Sequence, residues 1–149
     1  MLQRGVSVSL GADGAACNNR LDMLTELRSM ALLQKATHGP EALPANESLR
    51  IATIEGAKAL GLEREIGSLE TGKRADVIVV DLNTLHATPY SDAISALVYS
   101  SQPADVRTVI IDGELVMKDR KLLTIDEESV VREATQERAG LISRAGLSG

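Results

Sequence analysis

The chain has 149 residues, 44% of them hydrophobic and 25% charged, which is the balance of an ordinary globular domain rather than a disordered segment. Its net charge of -5 and aromatic content of 1% argue against nucleic-acid binding, because there is neither a basic excess for phosphates nor a set of rings for stacking. The single cysteine excludes an internal disulfide and suits a reducing cytoplasm. No apolar run approaches the roughly 20 residues that cross a membrane, so we expect a soluble, cytoplasmic protein with no membrane partner.

The amino-terminal part predicts one strand and a long helix. Gly5 to Leu10 alternate small polar and apolar residues and predict a short strand, followed by a loop of small residues up to Asn19. Leucines then recur at helical spacing, with Asn19 as the expected N-cap, and the pair Gly39-Pro40 predicts the end of this helix.

The rest of the chain changes from helical to strand-like patterns. A second helix is expected between Pro44 and Gly61. Two β-branched runs predict strands, the pair Asp112-Gly113 predicts a hairpin turn, and acidic residues predict the start of a last helix. The further predicted elements are strands at Val77–Val80, Val106–Ile111 and Leu115–Met117, a short helix at Ser91–Tyr99, and a helix from Asp126 to about Ile142.

This order predicts an α/β part followed by a small β-rich part, with a boundary near Leu62 to Lys73. The lone strand at Gly5 to Leu10 needs partners for its backbone groups, and the following strands belong to another sheet. We therefore expect the chain to pair with another chain or to belong to a longer one. The alternative is a compact α+β domain whose strands form one mixed sheet.

Three segments carry a resemblance to a known family: Gly5 to Lys35, Ala52 to Leu82, and Ser95 to Asp119. They resemble the amidohydrolase-superfamily deaminases that act on methylthioadenosine and S-adenosylhomocysteine, with the triazine chlorohydrolases as relatives. The resemblance implies a metal-dependent (β/α)8 barrel with catalytic residues at the C-terminal ends of its strands, and a flanking β-sandwich built from both chain ends.

The implied fold class is α/β, with the last strand-helix unit or units of an incomplete (β/α)8 barrel and part of a small flanking β-sandwich. Residues 1–62 are assigned to the carboxy-terminal part of the barrel. Residues 63–125 are assigned to a composite β-sandwich domain and residues 126–149 to a carboxy-terminal helix.

Asp13 is the candidate catalytic and metal-binding residue. It follows the first predicted strand by a few residues, where the resemblance places an aspartate that binds zinc or a similar divalent ion and accepts a proton from the attacking water. From the residues alone, Asp13 is a turn or capping residue in a glycine-rich loop.

The histidines that the family uses as metal ligands, a His-x-His pair and others, have no counterpart here. His38 follows a helix and His86 follows a strand, and both are interpreted as solvent-facing loop residues. Because a catalytic zinc usually takes three protein ligands, we expect this chain to bind no metal and to be inactive by itself.

Three other residues of the first loop, Cys17, Asn18 and Asn19, carry side chains that could contact a ligand. Asn18 is a candidate substrate-binding residue, and both Asn18 and Asn19 are equally well explained by helix capping. Cys17 is interpreted as an inert, buried thiol, since no base lies beside it in sequence.

The resemblance therefore implies part of a hydrolase of non-peptide C–N bonds, a deaminase of a purine-like small molecule or a triazine chlorohydrolase. Alternatives are a non-catalytic interaction subunit that completes a split amidohydrolase, and a free-standing structural α+β domain. The expected partners are a missing amino-terminal portion or a second copy, because uncovered strand edges and apolar faces favour self-association.

Overall fold

The computed structural model describes residues 4–147 and has an α/β architecture with a helical part and a small antiparallel sheet. The elements in chain order are α1 (Met23–His38), α2 (Ala45–Ile51), α3 (Ile54–Leu60), β1 (Val77–Val80), α4 (Ala93–Tyr99), a 3-10 turn (Pro103–Asp105), β2 (Val106–Ile111), β3 (Glu114–Lys118), β4 (Lys121–Leu122) and α5 (Glu127–Arg144).

The strand predicted at Gly5 to Leu10 is not formed, and residues 6–14 have no regular secondary structure. A strand exists only where a neighbouring strand takes its backbone hydrogen bonds, and the described residues place none beside this segment. Val6 is 49% exposed, whereas Leu10 packs against the helical core. The segment therefore contacts the helical core through its carboxyl end.

Helix α1 begins at Met23, so the predicted N-cap at Asn19 is wrong. Asp22 is the N-cap, because its carboxylate accepts hydrogen bonds from the backbone N–H groups of Leu24 and Thr25. The helix ends before Gly39, as predicted, where the backbone turns to a φ of 99°.

The single helix predicted between Pro44 and Gly61 is two short helices, α2 and α3. The backbone leaves the helical region at Thr53, whose hydroxyl donates to the carbonyl of Leu49 at 2.7 Å. A threonine that bonds back to the preceding turn competes with the regular helical bonds and bends the chain. The predicted end at Gly61 is confirmed, with a left-handed φ of 72°.

The sheet has the order β1-β2-β3-β4, and all neighbours are antiparallel. The predicted bounds of β1 and β2 are confirmed, and the predicted third strand lies within β3. Asp112 and Gly113 have φ values of 51° and 83°, the conformation of the hairpin turn that an Asp-Gly pair predicts.

The main core lies among α1, α2 and α4. Its buried members are small or aliphatic and are Leu27, Ala31, Ala45 and Val98. The ammonium group of Lys35 closes one end, because it donates to the carbonyls of Pro40 and Ala42 at 3.0 and 2.9 Å and lies 5.8 Å from the centroid of the Tyr99 ring.

The predicted helices at Ser91–Tyr99 and after Asp126 are both present as α4 and α5. Asp92 and Asp126 cap them through side-chain oxygens. None of the 18 residues of α5 is buried. Within residues 4–147, no helix combines the length and the apolar character needed to cross a membrane.

Candidate functional site

The loop between the first extended segment and α1 contains the predicted site residues. Its central part is a tight turn, in which the N–H groups of Cys17 and Asn18 both donate to the carbonyl of Gly14 at 2.9 Å. Asp13 directly precedes this turn with a left-handed φ of 58°, a conformation that aspartate adopts more readily than most residues. The turn thereby fixes the backbone that follows the candidate metal ligand.

The carboxylate of Asp13 is exposed. Its Oδ1 accepts a hydrogen bond from the N–H of Gly14 at 2.8 Å, which is the single hydrogen bond that the described residues make to this side chain. No cation of the described residues forms a salt bridge with it. The other oxygen is therefore open to a ligand from outside this part of the chain.

Asn18 connects the loop to α1. Its Nδ2 donates to Oε1 of Glu26 at 2.7 Å, and its Oδ1 accepts from the N–H of Arg20 at 3.1 Å. Asn18 therefore does not cap α1, which is capped by Asp22, so the capping explanation is wrong for it. Its bonds leave one amide hydrogen unused. Asn19 is exposed and does not cap the helix.

Asp22 is the site feature that the sequence reasoning missed. It is 9% exposed, and besides the two backbone N–H groups of α1 it accepts the hydroxyl of Thr25. The signal was present, since an aspartate immediately before a run of helix formers is a better N-cap than an asparagine three residues earlier.

The described residues contain no group of three or more His, Cys, Asp or Glu side chains that could hold a metal ion. Asp13 is thus not part of a cluster of potential metal ligands among the described residues. A catalytic zinc usually needs three protein ligands, so the residues present do not by themselves fit such a site.

The two histidines lie elsewhere. His38 is the last residue of α1, is exposed, and contacts the Thr37 hydroxyl through Nδ1 at 2.7 Å. The side chain of His86 is 34% exposed, but its Nε2 lies 2.7 Å from Oδ2 of Asp105 and 3.2 Å from the hydroxyl of Thr84. Because both contacts use the same nitrogen, this cluster does not form a relay in which histidine bridges a carboxylate and a nucleophile.

Asp105 is 4% exposed and holds this cluster together. Burial acts to raise the pKa of its carboxyl, but hydrogen bonds from His86 and from the N–H of Gln102, together with the charge of His86, outweigh it, so that the pKa lies below its ordinary value. Asp105 is thus an ionised structural acceptor that connects the loop before α4 to the start of β2.

Cys17 is exposed, so the expectation of a buried thiol is wrong. The side chain belongs to the tight turn that begins at Gly14, and such turns lie at the surface.

The chain is similar in sequence to a known family and to named enzymes. The model of the amidohydrolase family matches residues 1–116. The chain is 49% identical over 145 residues to a 5'-deoxyadenosine deaminase of Methanosarcina mazei, and 50% identical over 145 residues to a 5-methylthioadenosine/S-adenosylhomocysteine deaminase of Pelotomaculum thermopropionicum. Both alignments cover 97% of this chain and 33% of the relative, so the chain spans about a third of the length of the curated proteins it matches.

Solved structures agree with this assignment. The fold matches an adenosine deaminase from Xanthomonas campestris with bound zinc, with a TM-score of 0.90 and 40% identity over 95% of this chain and 33% of that chain. It also matches an atrazine chlorohydrolase from Arthrobacter aurescens complexed with zinc, with a TM-score of 0.83 and 28% identity over 91% of this chain and 30% of that one. The resemblance to deaminases and triazine chlorohydrolases is thereby confirmed, and the chain belongs to the amidohydrolase family.

Proposed function

We propose that this chain is the carboxy-terminal third of a metal-dependent hydrolase that removes the exocyclic amine from an adenosine-like small molecule. The proposal rests on sequence identity to named deaminases. The chain is 49% and 50% identical, over 97% of its length, to relatives named as deaminases of 5'-deoxyadenosine and of 5-methylthioadenosine/S-adenosylhomocysteine. The 28% identity to the chlorohydrolase is lower, which favours an amine over a halide as the leaving group.

The division of the chain follows from this proposal. Residues 1–62 contribute the last strand-helix unit or units of a (β/α)8 barrel, residues 63–125 contribute to a composite β-sandwich, and residues 126–149 form the carboxy-terminal helix. The unpaired state of residues 6–10 supports the first part, because this segment has the alternating pattern of a strand and no neighbouring strand among the described residues.

Asp13 is the residue of this chain that we assign to the chemistry. The bond from the Gly14 N–H orients its carboxylate, and the remaining oxygen would be one ligand of a zinc or similar divalent ion. The bound metal would supply a water of lowered pKa. The role of this chain would then be to hold the Asp13 carboxylate in a fixed position, from which it would act as the proton acceptor and donor of the reaction.

Asn18 has a secondary role in this proposal. Its free amide hydrogen would face the substrate, while the bonds to Glu26 and Arg20 keep the side chain in one orientation. The remaining metal ligands and most of the substrate pocket would come from residues outside this chain, which is why we expect the isolated chain to be inactive.

The test is a chimera in which this chain replaces the matched third of the Methanosarcina mazei deaminase. We expect the chimera to deaminate 5'-deoxyadenosine and to contain zinc, and the isolated chain to do neither. Replacing Asp13 by Asn should lower the deamination rate by about 100-fold or more, the lower end of what a positioned acid–base group contributes.

Asp119→Asn is the matched control, since Asp119 is also an exposed aspartate with a positive φ, of 49°. That variant should retain full activity and zinc. An Asp13→Asn chimera that deaminates within threefold of the unmodified chimera would refute the assignment of Asp13, and an active isolated chain would refute the need for further residues.

A further inference from the structure

Glu26 lies in the first turn of α1 and contacts the loop that carries Asp13. Its Oε1 accepts the hydrogen bond from Nδ2 of Asn18 at 2.7 Å, in a partly buried position. Within residues 4–147 this is the one hydrogen bond of the Glu26 side chain, and no cation there forms a salt bridge with it. Removing a carboxylate from water costs free energy unless a donor replaces the lost water. Asn18 is that donor.

Helix α1 is a fixed support for this carboxylate. Leu27, the next residue, is 2% exposed and Ala31 is fully buried, and both belong to the main core. The N–H of Glu26 donates to the carbonyl of Asp22 at 3.1 Å, so Glu26 lies in the turn that the Asp22 cap stabilises. The position of the Glu26 carboxylate is therefore set by the packing of α1 and not by the loop.

The loop between Leu10 and Asn18 has few side chains that could hold it in place. Residues 11–17 read GADGAAC, with two glycines and three alanines. The one side-chain hydrogen bond that the structure shows within residues 11–17 joins the Gly14 N–H to Asp13 and so stays inside the loop. Leu10 anchors the loop at one end by packing against the core. The anchor at the other end is Asn18.

Asn18 connects α1 to the backbone beside Asp13. Its side chain donates to Glu26, and its own N–H donates to the carbonyl of Gly14 at 2.9 Å. The N–H of Gly14 in turn donates to the Asp13 carboxylate at 2.8 Å. Three hydrogen bonds in series therefore lead from the carboxylate of Glu26 to that of Asp13.

We propose that Glu26 is a positioning residue for Asp13. Through Asn18 it holds the turn at Gly14, and with that turn the direction of the Asp13 carboxylate. The inference rests on the proposed function, since it takes Asp13 as the group that acts in the reaction. Position matters for such a group because a displacement of about 1 Å can lower a reaction rate by about 100-fold.

The negative charge of Glu26 strengthens this anchor. A hydrogen bond to an ionised acceptor is roughly twice as strong as a neutral one, and the N-terminal turn of a helix favours an anion. Glu26→Gln keeps an acceptor oxygen but loses the charge, and Glu26→Ala removes the acceptor. The two variants therefore weaken the anchor to different degrees without changing the loop itself.

The first measurement is amide hydrogen exchange at Cys17 and Asn18 in the isolated chain. Both N–H groups donate to the carbonyl of Gly14, so their exchange reports how often the turn opens. Glu26→Ala should speed both rates by about fivefold, the factor expected for the loss of one partly exposed hydrogen bond to a charged group, and Glu26→Gln by about twofold. The amide of Ala31 should exchange as before, because α1 remains packed.

The second measurement is the kinetics of 5'-deoxyadenosine deamination by the Methanosarcina mazei chimera. In Glu26→Ala we expect kcat to fall by about 10-fold and KM to stay within about twofold, because the displaced group acts in the chemical step. Glu26→Gln should recover most of the lost kcat. Glu47→Ala is the matched control, since Glu47 is an exposed glutamate in the first turn of α2, and it should leave kcat and both exchange rates unchanged.

The outcomes separate this inference from the proposed function. An active chimera whose kcat is unaffected by Glu26→Ala would overturn the positioning role and leave the function standing. A rise in KM at constant kcat would overturn it too, because the bond would then serve a substrate contact of Asn18 alone. Unchanged exchange at Cys17 and Asn18 would likewise overturn it. An inactive unmodified chimera, with exchange rates that respond as expected, would count against the function and support the hold of Glu26 on the turn.

A reversed pair of side chains gives an independent check in the isolated chain. Asn18→Asp sets two carboxylates against each other and should speed exchange at Cys17 by more than Glu26→Ala does. Combining Asn18→Asp with Glu26→Gln places an amide donor opposite a carboxylate again, and exchange should return to within about twofold of the unmodified chain. A double variant that exchanges as fast as Asn18→Asp would contradict a direct bond between the two positions.

Discussion

The buried carboxylate of Asp105 offers a quantitative test of how the sheet and the loop before α4 are held together. Asp105 is 4% exposed and accepts hydrogen bonds from Nε2 of His86 at 2.7 Å and from the N–H of Gln102 at 2.8 Å. A hydrogen bond to a charged group contributes about 1.5–3 kcal/mol, and the bond to His86 is discounted to about 1 kcal/mol because that side chain is 34% exposed. The replacement Asp105→Ala should therefore lower the free energy of unfolding by about 3 kcal/mol, or lower Tm by about 6–12 °C for a chain of this size.

The assay is urea unfolding of the full chain, followed by circular dichroism, for the unmodified protein, Asp105→Ala and Asp105→Asn. The asparagine variant keeps an acceptor for the Gln102 N–H and loses the charge, so we expect it to lose about half as much stability. Its pH dependence has a defined sign. Because the pKa of Asp105 is lower in the folded state, the ionised carboxylate stabilises the fold above the ordinary value of 3.8, and this contribution disappears as the pH falls through the lower, folded-state pKa.

The difference in stability between the unmodified protein and Asp105→Asn should accordingly shrink in acid. A loss below about 0.5 kcal/mol for Asp105→Ala would refute the reasoning, since changes of that size are typical of surface sites without specific contacts. A difference that grows as the pH falls would refute the assignment of the effect to the ionised carboxylate.

Two further predictions concern the backbone and the first helix. Gly67 and Gly72 both have positive φ, of 88° and 94°, but a Cβ at Gly67 would lie 2.7 Å from the Cβ of Ala57, whereas one at Gly72 meets no atom within 4 Å. Gly72→Ala should lower the free energy of unfolding by about 1 kcal/mol, and Gly67→Ala should lower it by about 2 kcal/mol more. Equal urea midpoints of the two variants would show that the close approach of Gly67 to Ala57 is not maintained in solution. Asp22→Ala should lower the stability by about 1–2 kcal/mol through loss of the α1 cap, and Asp22→Asn by less than about 0.5 kcal/mol; similar losses in both variants would show that the cap is not the source.

The sheet could be predicted from the sequence because its signals are local. Val77–Val80 and Val106–Ile111 are β-branched runs, and Asp112 and Gly113 supply the two positive φ values of the hairpin. The predicted strand at Gly5 to Leu10 carries an alternating pattern instead and has no neighbouring strand among the described residues. Alternation shows that a segment is suited to a strand, and only a partner makes it one.

The candidate site was predictable in part. Asp13 was identified through the resemblance, whereas its turn conformation and its bond to Gly14 follow from the local sequence. The pairing of His86 with Asp105 spans 19 positions and depends on how the loop before α4 folds back on the sheet, for which the sequence carries no local signal. This pairing is therefore set by the tertiary fold and cannot be predicted from neighbouring residues.

The exposed helix α5 has a consequence for how the chain melts. None of its 18 residues is buried, so its order depends on the cap at Asp126 and on intrinsic helix propensity. Helices of this length are only marginally stable when they do not pack against other elements, and they unfold gradually from their ends. Heating should therefore remove the ellipticity of α5 over a broad range before the core unfolds, and the van't Hoff enthalpy from ellipticity will fall below the calorimetric one. In thermodynamic terms we expect a cooperative core that carries a helix with its own helix–coil transition.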